Sequence, residues 1–130
     1  MLGLWQNYSS EYLYIITIGT IIFFGLPMLI SPIKWAKVLR WDIPDKTDLA
    51  VYFGRCLGAV ICVIAVFALK AAENPITQKY YFDFILCNFV LMVFVHLYGW
   101  LKKIQPLTET LETFYWAGLI ILTLLFYPSN

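Results

Sequence analysis

The amino-acid sequence predicts an all-α integral membrane protein, a four-helix bundle whose helices run up, down, up and down. Hydrophobic residues make up 62% of the 130 residues, and charged residues make up only 13%. Because soluble domains are nearer half apolar, too little polar surface remains here to cover a water-soluble globule. In addition, four long apolar runs fill most of the chain, each close to the about 20 residues that a helix needs to cross a bilayer.

The predicted spans are separated by turn and helix-start signals. Pro32 closes the first span, Asn74-Pro75 forms a turn between the second and third, and Pro106 suits the start of the fourth. One substantial loop remains, at residues 31–48, so we expect a single transmembrane domain over residues 1–130. The four spans cover residues 12–30, 49–71, 80–101 and 108–127.

The segment IKWAKVLRW, residues 33–41, predicts a short amphipathic helix between the first two spans. It sets apolar residues among three basic ones and carries a tryptophan near each end. Such a pattern is typical of a helix that lies on the membrane surface.

The distribution of basic residues predicts the orientation in the membrane. Seven of the nine Lys and Arg residues lie in or beside the first and third connections, and two lie beside the second. Because positively charged loops stay in the cytoplasm, we expect the 31–48 loop inside and both termini outside. The expected location is a bacterial inner (plasma) membrane or its equivalent.

Polar residues within the spans are the candidates for a site. Arg55 and His96 each lie about 9 Å from the inner end of their span, and Asn88 lies about two turns further out. Arg55 can snorkel to the headgroups, or these three residues can form an inner-leaflet polar pocket. Two adjacent cations would attract an anion or a carbonyl, such as a lipid phosphate, a quinone or a partner's carboxylate. His96 alone is more often a hydrogen-bonded packing residue than a ligand.

Two further groups of residues lie within the spans. Lys70 and Asp83 are expected to pair near the outer face, with a proton or ion relay that includes Glu11 as the alternative. The second group is a stripe of small residues that favours close helix contact, either within the chain or with another protein. This stripe consists of Gly54, Gly58 and Cys62.

Several functions are disfavoured by what the sequence lacks. The net charge of +1 and the absence of a basic patch argue against nucleic acid as a partner. A single histidine excludes the H-E-x-x-H zinc motif and bis-histidine haem ligation within the chain, and no Walker, G-x-S-x-G or C-x-x-C motif occurs. We therefore expect no metal and no cofactor, and we favour a non-catalytic role without excluding an enzyme.

The segment RCLGAVICVIAVFALKAAENP, followed by the span that contains His96, carries a family resemblance. It resembles small four-helix membrane proteins of the DoxX-like and Domain-of-Unknown-Function 4345 types, and more remotely Erg28-type scaffold proteins. The shared features are Arg55, Gly58, Ala71-Ala72 and the turn at residues 73–75, within residues 51–103. The resemblance implies a four-helix bundle and, by the Erg28 analogy, a tethering role; it supplies no catalytic residue.

The function expected first is a non-catalytic accessory or scaffold subunit. It would be surrounded by membrane lipid and would pack against another membrane protein or a second copy of itself. The alternative is a binder, carrier or modifying enzyme for a lipid or quinone-like molecule at the Arg55, His96 and Asn88 pocket. The third hypothesis is a small channel or transporter lined by Asp83 and Glu11.

Overall fold

The computed structural model describes residues 2–129, and every regular element within them is helical, which confirms the all-α fold class. The helices are α1 (Gln6–Ile30), α2 (Pro32–Val38), α3 (Asp48–Ala72), α4 (Pro75–Lys102) and α5 (Leu107–Leu125). Three of these five, α1, α3 and α4, are long and apolar enough to cross a membrane. The fifth, α5, begins with a more polar stretch that contains Glu109 and Glu112.

Helix α1 contains a break in its regular hydrogen bonding near Pro27. Proline has no backbone N–H, so the carbonyl of Phe23, four residues earlier, loses its usual helical donor. The indole Nε1 of Trp35 on α2 donates to this oxygen at 2.8 Å. A π-helical turn, Ile21–Gly25, lies at the same place. The short helix predicted over residues 33–41 is present as α2, Pro32–Val38, and its tryptophan, Trp35, bonds to the backbone of α1.

The described residues form two compact units. One contains residues 2–12 and 71–129, and the other contains residues 13–70. The single domain expected over residues 1–130 stays a prediction.

In the unit of residues 13–70, the small-residue stripe of α3 packs against α1. A Cβ atom added to Gly58 would lie 2.8 Å from the Cα of Leu29, and one added to Gly25 would lie 2.9 Å from Cys62 Sγ. Gly54 faces the start of α2 in the same way. The stripe therefore makes its close contact within the chain.

In the other unit, α4 and α5 form a hairpin joined by residues 103–106. The Asn74 side chain accepts hydrogen bonds from the backbone N–H groups of Ile76 and Thr77 and so caps the start of α4. Lys103, in the left-handed conformation, ends the helix. The Trp116 ring of α5 packs against α4, with its centroid 5.5 Å from that of Phe89 and 6.1 Å from that of His96.

The N-terminal segment closes the open end of this hairpin. The backbone N–H groups of Gly3 and Trp5 donate to the carbonyls of Leu124 and Leu125 at 2.9 and 2.8 Å. The Ser9 hydroxyl donates to the carbonyl of Phe126 at 2.6 Å. These bonds satisfy carbonyls at the C-terminal end of α5 that have no helical donor.

Candidate functional site

Three ionisable side chains meet between α4 and α5, close to the turn of the hairpin. His96 Nε2 lies 3.3 Å from Glu109 Oε2 and 3.5 Å from Glu112 Oε2. His96 is 4% exposed, and the two glutamate side chains are 13% and 18% exposed. The His96–Glu109–Glu112 cluster is thus largely shielded from the surroundings of the protein.

Local sequence explains why these three residues meet. The two glutamates are three positions apart, so they share one face of α5. The short turn places the first turns of α5 beside the last turns of α4, where His96 lies. Gln105 strengthens this arrangement, because its Nε2 donates to the His96 carbonyl at 3.0 Å and to the Thr110 hydroxyl at 3.2 Å.

The backbone fixes the orientation of the His96 ring. Nδ1 lies 2.7 Å from the carbonyl oxygen of Met92, one turn earlier on α4. A carbonyl oxygen can only accept, so Nδ1 carries a hydrogen and donates it. Nε2 is therefore the ring nitrogen that faces the carboxylates. The indole ring of Trp116 lies beside the imidazole, with 6.1 Å between the two ring centroids.

The cluster has the composition of a cation site. One imidazole nitrogen and two carboxylate oxygens, one from each residue, all lie within 4.8 Å of one another. With both glutamates ionised and His96 neutral, three electron-pair donors point at one small space. A proton or a metal ion is the species that such an arrangement stabilises.

The residues of the predicted inner-leaflet pocket differ in burial: Arg55 and Asn88 are exposed, and His96 is buried. Arg55 is exposed on α3, where it lines an open groove with Tyr52 and Cys56 of the same helix. Asn88 is exposed on α4, whereas His96 is buried on that helix. His96 has the carboxylates of Glu109 and Glu112 as neighbours, and the pocket of Arg55, His96 and Asn88 stays a prediction.

The residues of the predicted outer pair have neighbours of other kinds. Asp83 accepts a hydrogen bond from the Tyr127 hydroxyl at 2.7 Å. Lys70 lies with its Nζ 5.8 Å from the ring centroid of Phe67. Lys70, Asp83 and Glu11 are all exposed, and the Lys70–Asp83 pair stays a prediction.

Glu109 and Glu112 are the residues that sequence reasoning missed. Acidic residues in the first turns of a helix are common because they interact favourably with the helix N-terminus, so their position alone indicates no site. Two features of the sequence predict a site that they share with His96. The glutamates are three positions apart, and they follow closely after the turn that connects their helix to the helix of His96.

Comparison with protein-family models, with curated proteins and with solved structures found no match for this chain. The resemblance to DoxX-like and Erg28-type proteins therefore stays a prediction.

Proposed function

We propose that the protein is a non-catalytic accessory or scaffold subunit that packs against other membrane proteins within the bilayer. In this proposal α1, α3, α4 and α5 are the four spans of an up-down-up-down bundle in a bacterial inner membrane. Both termini lie outside, and the loop of residues 31–48 lies in the cytoplasm.

The exposed apolar surface of α3 carries the proposal. This helix has a mean hydropathy of 2.2 over its most apolar stretch, yet only 11% of that stretch is buried by the rest of the chain. Its small-residue stripe already contacts α1, so the remaining faces are available to lipid or to another protein. Their large side chains, all at least 50% exposed, are Leu49, Tyr52, Phe53, Leu57, Val60, Val63, Val66 and Phe67.

A broad helix face of this kind favours contact with another span. Van der Waals packing and loss of ordered lipid drive helix association in a bilayer, and both increase with the area that two helices share. Aromatic and branched side chains along α3 provide that area. The exposed Arg55 on the same helix adds one charged group that a partner's carboxylate can pair with.

The alternative functions have less support. A lipid or quinone pocket built from Arg55, His96 and Asn88 needs all three side chains to face one cavity, but only His96 is buried. A channel lined by Asp83 and Glu11 needs a continuous polar path, but both residues are exposed and Asp83 is bonded to Tyr127.

Crosslinking in native membranes tests the accessory role. A photoreactive amino acid at Leu57 or Val60 of α3 is expected to give one discrete protein adduct. The same probe at Leu101 of α4, which is also exposed, serves as the control and is expected to give lipid adducts only. Changing Phe53 to Ala in the probe-bearing chain is expected to weaken the protein adduct.

Native mass spectrometry after gentle extraction identifies the partner. An adduct of twice the mass of the chain would identify a homo-oligomer, and another mass would identify a different subunit. Recovery of a single free chain, with lipid adducts alone at every probe position, would contradict the proposed function.

A further inference from the structure

We propose that His96, Glu109 and Glu112 bind a divalent first-row transition-metal ion, with Zn²⁺ as the best fit. The proposal rests on the geometry of these three side chains and goes beyond the accessory role, on which it does not depend.

The first step concerns the hydrogen atoms of the imidazole. Nδ1 donates to the Met92 carbonyl, so in the neutral ring Nε2 is an acceptor. This acceptor faces two carboxylate oxygens at 3.3 and 3.5 Å. Three acceptors around one space repel each other unless a cation lies between them.

The second step compares a proton with a metal ion as that cation. A hydrogen bond between an imidazolium N–H and a carboxylate is about 2.7–2.9 Å long, and both distances from Nε2 are longer than this. A single proton on Nε2 also cannot lie on the line to both carboxylates at once, whereas a metal ion can bind both. Zinc bonds to imidazole nitrogen and carboxylate oxygen are about 2.0–2.2 Å, and in a tetrahedron they separate neighbouring ligand atoms by about 3.3–3.5 Å. Both distances from Nε2 match this tetrahedral spacing, and the two carboxylate oxygens lie within 4.8 Å of each other.

The third step concerns charge and the surrounding groups. Two carboxylates and one divalent ion sum to zero charge, which favours the ion in a shielded place beside the Trp116 ring. A backbone carbonyl that accepts from the other ring nitrogen, as Met92 does, is a common partner of a metal-bound histidine. Mixed imidazole and carboxylate ligation suits Zn²⁺ and its neighbours, whereas Ca²⁺ and Mg²⁺ prefer oxygen ligands alone.

The three side chains leave at least one coordination position for water or for another ligand. Zinc sites with three protein ligands and an open fourth position are the type that binds exchangeable molecules. The proposed ion would therefore hold the turn end of the α4–α5 hairpin together and also present a coordination position.

The test is a titration of the full-length protein in detergent with Co²⁺, a coloured substitute for Zn²⁺. The affinity tag is removed and the protein is stripped with a chelator beforehand. We expect one Co²⁺ per chain, with the intense visible absorption of four-coordinate cobalt, and displacement of Co²⁺ by Zn²⁺. Glu109→Gln and Glu112→Gln are each expected to weaken Co²⁺ binding by more than about 100-fold. Loss of a residue that only hydrogen-bonds to a metal ligand already costs about 10–100-fold in affinity, and loss of a ligand should cost more.

Glu73→Gln is the matched control, because Glu73 is an exposed carboxylate in the turn before α4 and should leave binding unchanged. Circular dichroism establishes that each variant is folded. If the glutamate variants fail to fold, the ¹⁵N spectrum of wild-type His96 decides, because Zn²⁺ must shift the Nε2 resonance. Absence of saturable Co²⁺ binding, equal binding by the glutamate variants, or an Nε2 resonance unmoved by Zn²⁺ would overturn the proposal.

Discussion

The Nδ1 atom of His96 lies 2.7 Å from the carbonyl oxygen of Met92, one turn earlier on the same helix. This hydrogen bond is local to α4 and involves neither glutamate. The ring orientation is therefore set by the backbone, and Nε2 points towards α5 whichever cation occupies the cluster.

The position of the hydrogen on His96 is the first prediction. We expect Nδ1 to be protonated in the wild-type protein and also in Glu109→Gln and Glu112→Gln, because its acceptor is a backbone carbonyl that these changes leave in place. The ¹⁵N shifts and N–H couplings of the imidazole measure this directly. The chain has one histidine, so the signals need no further assignment. A bare Nδ1 in folded wild-type protein would contradict the prediction.

The close approach of α3 to α1 gives the second prediction. A Cβ atom at Gly58 would meet the backbone of Leu29, which cannot move aside as a flexible side chain can. We expect Gly58→Ala to lower the free energy of unfolding by about 1–3 kcal/mol, the usual cost of overpacking. Denaturant unfolding in detergent micelles measures the change.

Gly118→Ala is the control for this prediction, since an added Cβ atom there meets no atom within 4 Å. It should leave stability unchanged or raise it by up to about 1 kcal/mol, because alanine favours the helix more than glycine does. Equal stability of the Gly58 and Gly118 variants would contradict the prediction, because it would mean that the backbone of Leu29 leaves room for a methyl group at residue 58.

The helices were largely predictable from sequence, but the starts of α1 and α4 were not. The predicted second span, residues 49–71, lies within one residue of α3 at either end. Helix α4, by contrast, begins at Pro75 rather than at residue 80, because Asn74 caps it before the apolar run begins. Hydropathy locates the apolar centre of a span, whereas capping decides where the helix starts.

The candidate site was only partly predictable, for a related reason. Counting residues from the turns gave the depth of His96 and placed Arg55 at the same depth on another span. Depth does not decide which face of a neighbouring helix a side chain meets, and the rotation of α5 about its axis brings Glu109 and Glu112 to His96. A search for motifs on a single helix also misses a cluster whose side chains come from two helices.

A buried hydrogen bond between Tyr12 and Thr123 gives the third prediction. The two hydroxyl oxygens lie 2.6 Å apart, and Thr123 donates its own hydrogen to the Leu119 carbonyl, so Tyr12 is the donor to Thr123. Thr123→Val leaves this donor buried without an acceptor and should cost about 1–3 kcal/mol, whereas Tyr12→Phe should cost about 0.5–1.5 kcal/mol.

Unfolding of both variants and of the double variant measures this pair. The double variant should lose less than the sum of the single losses, because no orphaned donor remains. Tyr8→Phe is the control, since Tyr8 is 59% exposed. Strictly additive losses would mean that the two hydroxyls do not interact in the folded protein.

The orientation in the membrane gives the fourth prediction. The loop of residues 31–48 carries four basic residues, each worth about 1 kcal/mol of attraction to the anionic cytoplasmic leaflet, so it should stay inside. In a background without native cysteines, Ser129→Cys should react with an impermeant maleimide on intact cells. Asp45→Cys, which is also at an exposed position, should react only after the membrane is opened. Labelling of Asp45→Cys alone on intact cells would show that the predicted topology is inverted. The predicted topology places the basic residues Lys102 and Lys103 on the same side as the 31–48 loop, and the His96–Glu109–Glu112 cluster lies near that end of α4. An inverted topology would therefore place the cluster near the outer face.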